Sequence, residues 1–375
     1  MNNAQPGPTM SRRTLLRLSA TAGVAAVAGY AIFEAAPWLD VEPQAELARR
    51  PLAEASTEAG PLRDLVRYAT LAANGHNTQP WQFAIQEDSI TIYPDASRRL
   101  AVVDPHDREL WISLGCALEN LRLAAEAAGY LPEITYPDQA DLIRVDLAPD
   151  RAQPSVLFDA IPRRQNTRCI YDGQAVATAG LDQLQSVALE PGVSLRLVTD
   201  RAGMETALEY VNQGNLAQYA DARFVGELVQ WLRFNKREVL ASRDGLATRA
   251  SGNPEVPRWL GQFFVTSTKP QQQADADAEK LRTSPGAIVI ASAAEDKPAW
   301  VRTGQVYERL ALQMTALDIK SALLNQPIEV AGLRSQFQRA MGLGTDQPQL
   351  LLRFGYAGAM ARSLRRPVEQ VLVQA

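Results

Sequence analysis

Residues 111–123 read WISLGCALENLRL, and residues 300–312 read WVRTGQVYERLAL. The two stretches share Trp, Gly, Glu and two Leu at the same offsets, and in both the apolar residues recur at the spacing of an amphipathic helix. A glycine inside a helix costs roughly 1 kcal/mol relative to alanine. Gly115 and Gly304 occupy the same place in both copies, so they predict close packing of helix on helix or of helix on a ligand.

Strand-like segments precede both helices. SITIYP at 89–94 and the apolar run GAIVIAS at 286–292 are typical of strands, the second of a buried one. We interpret the chain as α+β, with two related halves at 58–150 and 151–375 that pack as an internal pseudo-dimer. Two unrelated amphipathic helices are the alternative. Residues 223–270 have no counterpart in the first half, and their extra length suggests a lid.

Composition excludes several classes of protein. The 375 residues are 46% apolar and 21% charged with a net charge of -4, which is ordinary for a globular chain and gives no electrostatic reason to expect nucleic acid. Two cysteines and two histidines are too few for a disulfide framework or a transition-metal site. Cys116 falls within the first helical pattern and is expected to be a small core residue. No HExxH, GxSxG or P-loop pattern occurs.

The N-terminus has the features of an export signal. SRRTLLR at 11–17 precedes a moderately apolar run, so residues 1–36 resemble a twin-arginine signal that is either cleaved or retained as an anchor. A short amphipathic helix with a basic start is the other interpretation. Residues 37–57 read as a linker. An export signal predicts a periplasmic location or the outer face of the cytoplasmic membrane.

The segment IPRRQNTRCIY at 161–171, which we term the basic turn, places three arginines, an amide and a hydroxyl within six residues. The planar fork of arginine suits phosphate, and Asn and Thr can bond the same oxygens. A second basic pair, Arg365 and Arg366, precedes Pro367. These patterns favour phosphate binding, with a solvated surface patch as the alternative.

Three motifs carry a resemblance to a known family. RRQNTRCIYDGQAV, from residue 163, resembles the N-terminal arginine motif of the FMN-dependent nitroreductase family. LAANGHNTQPWQF at 71–83 resembles its Asn-x-Gln-Pro-Trp segment, and we term residues 74–80 the amide loop. LLLRFGYAG at 350–358 and RRPVEQVL at 365–372 resemble its closing strand and basic element. The signal, the early NTQPW and the fused halves are most similar to the two-halved, Acg-like branch.

The resemblance implies FMN as the cofactor and one flavin site per chain, built from both halves of a monomer. It implies that polar residues of the basic turn and of the C-terminal pair hold the phosphate: Arg163, Arg164, Asn166, Thr167, Arg168 and Arg366. It implies that polar residues of the amide loop contact the ribityl chain or the ring edge: His76, Asn77 and Gln79. His76 is either such a contact or a turn residue, and Trp81 packs either under the ring or in the core.

The implied activity is an exported oxidoreductase that passes electrons through flavin to a nitro compound or a quinone, with no catalytic side chain and no metal. Nicotinamide donors are expected in the cytoplasm, whereas the signal directs the chain outward. The alternative is therefore a flavin-binding protein without reductase turnover. A third interpretation is a membrane-tethered electron-transfer module, if the apolar segment at 18–33 is retained.

Overall fold

The computed structural model describes Gly29 and residues 39–52, 60–136 and 140–374. Apart from Gly29, the predicted signal lies outside the described residues. Within them, no helix is both long enough and apolar enough to cross a membrane. The predicted α+β class is confirmed, because the described chain contains two four-stranded antiparallel sheets, one short two-stranded parallel pair, and helices around them.

The first sheet is built by residues 81–149. The N-terminal elements are α1 (Glu42–Ala48), α2 (Pro61–Thr70), β1 (Trp81–Ile85), β2 (Ser89–Pro94), α3 (Arg108–Ala127), β3 (Tyr130–Thr135) and β4 (Ile143–Pro149). The strand order is β1-β2-β4-β3, with every neighbouring pair antiparallel. Strand β2 coincides with the strand predicted at 89–94, and α3 contains the first helical repeat.

The second sheet is built by residues 193–355. The remaining elements are α4 (Val156–Ala160), α5 (Thr178–Gln185), β5 (Val193–Val198), α6 (Arg201–Ala220), α7 (Ala222–Trp231), β6 (Leu232–Arg233), α8 (Lys236–Ser242), β7 (Leu246–Ala247), α9 (Arg258–Ser267), α10 (Pro270–Arg282), β8 (Gly286–Ser292), α11 (Lys297–Ala316), β9 (Lys320–Leu323), α12 (Gln326–Glu329), α13 (Ala331–Ala340) and β10 (Gln347–Gly355). The order is β5-β8-β10-β9, again antiparallel throughout. Strand β8 is buried along its whole length, as the apolar run predicted.

The two sheets have the same arrangement, and in each a 20-residue helix follows the second strand along the chain. These helices, α3 and α11, cross at the repeated glycines. A Cβ atom on Gly115 would lie 2.0 Å from the carbonyl oxygen of Val301, and one on Gly304 would lie 2.0 Å from that of Ile112. The predicted close packing of helix on helix is confirmed. The contact is reciprocal, because each glycine lies against the backbone of the other helix, as in an isologous interface.

The sheets differ in one connection. Strands β1 and β2 form a hairpin, whereas residues 199–285, which we term the insertion, separate β5 from β8 and contain α6 to α10. The insertion includes the segment 223–270 that the sequence analysis singled out as a lid. One apolar core runs between the two sheets and around α3 and α11, and a second lies on the opposite face of the second sheet.

Distant segments complete the edges of both sheets. The N–H of Phe83 in β1 donates to the carbonyl oxygen of Val371 at 2.8 Å, and the N–H of Val373 donates back to Phe83 at 2.9 Å. In the same way the N–H of Thr167 donates to Ser321 at the edge strand β9, at 2.9 Å. The C-terminus and the basic turn are thus tied to opposite sheets.

Part of the predicted linker is helical instead. Residues 42–48 form α1 because Val41 and Ala45 bury their side chains against Val239, Ala247 and Leu364. The contacts are with segments about 200 residues or more away, so local composition did not indicate them.

Candidate functional site

A cavity of about 760 Å³ lies between the second sheet and the insertion. Its walls come from the amide loop, the basic turn, the end of β9 and the insertion. This volume falls in the range of roughly 300–1,000 Å³ that is typical of small-molecule and cofactor sites. The cavity therefore brings together residues of all three motifs, since Arg353 of LLLRFGYAG also lines it, and the insertion covers them.

The insertion supplies the apolar part of the cavity wall, from α7, β6 and α9 and the loops beside them: Phe224, Leu228, Leu232, Phe234, Phe264 and Val265. Close packing holds this wall, since a Cβ atom on Gly261 of α9 would lie 2.1 Å from the ring of Phe234. An apolar wall with a few convergent polar groups is the usual composition of a site for a flat organic ligand.

The basic turn presents alternate residues to the cavity. Asn166 and Arg168 line it, whereas Thr167 between them is fully buried and joined to β9 through its backbone. The hydroxyl of Tyr171 donates to the carbonyl oxygen of Thr167 at 2.9 Å, which closes the turn. The hydroxyl of Tyr307, from α11, donates to Oδ1 of Asn166 at 3.2 Å.

Arg168 is the cation of the basic turn that faces the cavity. Among the residues that the structure describes, its guanidinium makes no hydrogen bond or ion pair, although Arg164 and most other buried arginines do. Burial lowers the pKa of Arg168, and the nearby Arg353 lowers it further. An unpaired, partly desolvated guanidinium is a strong binding group for an anion.

A second guanidinium, that of Arg353, reaches the cavity from the middle of β10. Its Nη2 donates to the carbonyl oxygen of Cys169 at 2.7 Å, and its Cζ lies 4.0 Å from the centre of the Tyr171 ring. None of its partners in the described chain is a carboxylate. Its Nε and the hydroxyl of Thr167 are both buried without a hydrogen-bond partner. Arg353 lies in the motif LLLRFGYAG but was not predicted as a ligand, although its charge within an apolar run was a signal.

The amide loop has an unusual backbone. His76, Asn77 and Gln79 adopt φ of 48°, 53° and 53°, in the left-handed region that non-glycine residues seldom occupy. Of these three, only His76 lines the cavity, together with its neighbours Asn74 and Gly75. Burial, with a smaller effect from Arg168, lowers the pKa of His76 to about 4. Its imidazole is therefore neutral at pH 7 and can both donate and accept a hydrogen bond.

The two predicted amides bind protein groups rather than lining the cavity. Asn77 donates to the carbonyl oxygen of Gly245 at 3.0 Å and accepts from Arg365 at 3.0 Å. Gln79 donates to the carbonyl oxygen of Arg243 at 2.8 Å and accepts from the backbone N–H of Arg366 at 2.8 Å. A flavin contact by either amide stays a prediction.

The other predicted phosphate ligands also lie away from the cavity lining. Arg163 is exposed. Arg164 is buried, with Nε 2.9 Å from Oε1 of Glu308, too far off the N–H direction for a well-aligned hydrogen bond, so the contact is an ion pair. Arg366 donates to the carbonyl oxygens of Gln79 at 3.3 Å and Gln370 at 2.6 Å. These three assignments remain predictions.

Acidic groups lie on another side of the cavity. Asp277 pairs with Lys280 at 3.0 Å, and Glu109 and Glu329 also line the wall. Burial, with Glu109 as the next cause, raises the pKa of Glu329 well above its usual range. Its Oε2 accepts from Nε2 of Gln218 at 2.5 Å. Asp277 and Glu109 thus have the cations Lys280 and Arg108 beside them. The guanidiniums of Arg168 and Arg353, by contrast, contact no carboxylate in the described chain.

The described residues hold no cluster of three or more side chains suited to a metal ion. Both thiols are free, and Cys116 is a buried core residue as predicted, with its Sγ 3.3 Å from the carbonyl oxygen of Gly304.

Curated proteins of Mycobacterium tuberculosis are related to the chain in sequence. A protein of strain H37Rv named as a candidate NAD(P)H nitroreductase is 27% identical over 329 residues, covering 84% of this chain and 92% of the relative. The chain is similar to nitroreductases. The candidate NAD(P)H nitroreductase acg is 22% identical over 83% of this chain and 94% of its own length. An uncharacterized protein of the same strain is 25% identical over 83% of this chain. No family model matches.

Solved nitroreductase structures also align with part of this chain. A nitroreductase with bound FMN from Desulfitobacterium hafniense is 13% identical, covering 60% of this chain and 100% of that chain at a TM-score of 0.37. The FMN-dependent nitroreductase NfnB from Mycobacterium smegmatis, in complex with NADPH, is 14% identical, covering 57% and 96% at a TM-score of 0.37. Both likenesses are distant in fold as well as in sequence.

Proposed function

We propose that the chain is an FMN-binding oxidoreductase of the nitroreductase type, with its flavin in the cavity between the second sheet and the insertion. The observation that carries the proposal is Arg168, a cation that faces the cavity without a partner in the described chain. It lies in the motif that resembles the phosphate-binding arginine motif of nitroreductases, and the named mycobacterial relatives point the same way.

The groups around Arg168 suit a phosphate. The hydroxyl of Thr167 is buried behind the cavity surface and does not line the cavity. Asn166 adds an amide at that surface, and Nε of Arg353 is a donor that is buried without a partner. A buried donor left unpaired costs about 1–3 kcal/mol, so a ligand oxygen that accepts from it is favoured. The set of two guanidiniums and an amide matches the chemistry of a phosphate monoester rather than that of a neutral ligand.

The remaining cavity residues suit the flat, partly apolar ring system of a flavin. Phe224, Phe234 and Phe264 offer apolar surface, and the neutral His76 offers one donor and one acceptor. Bound FMN supplies two-electron transfer between a donor and an electron-poor acceptor such as a nitro compound or a quinone. The protein's part is to bind, to orient and to exclude water, and no side-chain acid or base is assigned.

Replacement of single arginines tests the site. Arg168→Gln removes one charge-assisted interaction, worth about 1.5–3 kcal/mol, so the Kd for FMN should weaken roughly 10- to 100-fold. Arg163→Gln, five residues earlier on the exposed side of the same turn, is the matched control and should bind FMN as the wild type does. Binding is measured by quenching of flavin fluorescence. Unchanged affinity in Arg168→Gln would overturn the phosphate assignment. A wild-type protein that bound no FMN would overturn the flavin proposal itself.

A second candidate function is flavin binding without reductase turnover. The observation that favours it is that the insertion covers the cavity. The insertion lines the cavity and is hydrogen-bonded to the amide loop at two separate residues. Anaerobic addition of NADH or NADPH to the FMN-loaded protein separates the candidates. Prompt bleaching of the flavin band supports the oxidoreductase, and a band that persists with both nucleotides supports sequestration.

We further propose that residues 58–150 and 151–375 are related halves and that one chain forms one complete site. Identical strand order in the two sheets and the reciprocal contact of Gly115 and Gly304 support this. Light scattering should then report a monomer that binds one FMN per chain. A dimer with a site shared between two chains would contradict the proposal.

Export by the twin-arginine route is also a proposal, supported by the SRRTLLR segment and the apolar run that follows it. Intact-mass analysis of protein recovered from the cell envelope tests it. A chain that begins near residue 37 indicates a cleaved signal, whereas a full-length chain in the membrane fraction indicates an anchor. A full-length chain confined to the cytoplasm would contradict export.

A further inference from the structure

We infer that Asn77 and Gln79 are positioning residues that fasten the insertion and the C-terminal segment to the amide loop, so that two walls of the cavity are held in one geometry. We term the joined groups the clasp, which consists of residues 77–79 and 98 on one side and 243–245 on the other. The contacts of the clasp are all made within the chain, whichever ligand the cavity holds.

Each amide uses both its nitrogen and its oxygen, and each joins the insertion to the C-terminal segment; Nδ2 of Asn77 also donates to the carbonyl oxygen of Leu364 at 3.4 Å. Nδ2 of Asn77 donates to Gly245 in the insertion at 3.0 Å, while Oδ1 accepts from Nη1 of Arg365 at 3.0 Å. Nε2 of Gln79 donates to the carbonyl oxygen of Arg243 at 2.8 Å, while Oε1 accepts from the N–H of Arg366 at 2.8 Å. Only a side chain that carries both a donor and an acceptor can bridge in this way.

The backbone and a partly buried ion pair strengthen the same junction. The N–H of Gly245 donates to the carbonyl oxygen of Asn77 at 3.0 Å, so residues 77 and 245 are joined twice. Arg98 contacts both the carbonyl oxygen of Thr78 and the carboxylate of Asp244. Arg233 binds the other oxygen of Asp244 at 2.6 Å. The turn 243–245 is therefore fixed to the first half of the chain, although it belongs to the insertion.

The left-handed backbone of the amide loop is a consequence of this junction. Asn77 and Gln79 are 8% and 0% exposed, and their φ of 53° directs both side chains inward to the clasp while His76 and Gly75 face the cavity. Backbone strain of this kind persists where surrounding contacts over-determine it, and the clasp supplies those contacts. The insertion near 243–248 is consequently a fixed wall rather than a swinging lid.

Amide hydrogen exchange on the ligand-free full chain tests the clasp. Gln79→Ala and Asn77→Ala should each accelerate exchange in peptides covering 242–247 by roughly tenfold, as expected for the loss of one to two hydrogen bonds. Gln82→Ala is the matched control, because the Gln82 amide lies three residues further along and its side chain makes no hydrogen bond within the described chain. It should leave these peptides unchanged.

Gln79→Glu separates a positioning role from a general loss of stability. Its carboxylate still accepts from the N–H of Arg366 but cannot donate to the carbonyl oxygen of Arg243. Exchange should therefore rise at 242–247 and stay at the wild-type rate at 365–366. Faster exchange across the whole chain, or no change at 242–247 in any of the three variants, would overturn the inference. If Gln79→Ala does not fold, the two remaining variants still decide it.

Discussion

The crossing of α3 and α11 allows a quantitative test with a single methyl group. In Gly304→Ala the new Cβ atom would lie 2.0 Å from the carbonyl oxygen of Ile112 and 2.8 Å from Cα of Gly115. Ordinary contact between such atoms needs about 3.5 Å. Both obstacles are backbone atoms, so no side chain can rotate away, and the two helices must move apart along the centre of the main core.

Two opposing terms set the expected size of the effect. Alanine gains roughly 1 kcal/mol over glycine in a helix. Overpacking in a rigid core costs about 1–3 kcal/mol and more where backbone must shift, and here the separated helices also lose contacts between their buried leucines. Because backbone must shift here, we expect the packing cost at the upper end of its range, about 3 kcal/mol or more. After the gain from alanine is subtracted, the free energy of unfolding should fall by about 2 kcal/mol or more.

Urea unfolding monitored by circular dichroism measures this loss. Gly115→Ala, whose Cβ atom would lie 2.0 Å from the carbonyl oxygen of Val301, should behave alike. Gly226→Ala, at an exposed position of helix α7 where a Cβ atom would meet nothing within 4 Å, is the control and should gain stability. If Gly304→Ala matched that gain, the helices would not cross at the glycines and the reciprocal contact would be refuted.

Two further predictions concern buried charges. Arg164→Gln leaves Glu308 buried without its cation, so stability should fall by about 3–5 kcal/mol, and Arg164→Gln with Glu308→Gln should recover most of the loss in urea unfolding. His76 has a native pKa of about 4 against 6.5 for the free side chain. The unfolded chain therefore binds an extra proton between these values, and wild-type stability should fall as the pH drops from 6.5 to 4. His76→Asn should remove that part of the pH dependence, and an unchanged slope would contradict the shifted pKa.

Local pattern predicted the secondary structure well where one face of an element is continuously apolar. The helical periodicity at 111–123 and 300–312, and the strands at 89–94 and 286–292, were readable because periodicity depends on near neighbours only. The glycine at one place in both helices even indicated the close crossing. Helix α1 was missed, because its few apolar residues find partners only in the folded chain.

Local sequence pattern did not predict which side chains of the candidate site face the cavity. The basic turn reaches the cavity through Asn166 and Arg168, but its sequence could not indicate which arginine faces inward. Arg164 turns towards Glu308, a residue of α11 more than 100 positions away, and Arg168 turns to the cavity. Arg353 was passed over because a single charge in a strand has no periodic signature.

The sequence by itself determined that this chain is α+β, that two similar helices pack closely, and that a basic turn and an amide loop are candidate ligand-binding segments. Only the tertiary structure decided what those side chains touch. A side-chain amide donates to a carbonyl oxygen and accepts from an N–H with equal readiness, whether these groups belong to a ligand or to the protein. The partners of Asn77 and Gln79 therefore depend on which segments lie beside them. That proximity is set by the packing of the insertion and the C-terminal segment, both far away along the chain.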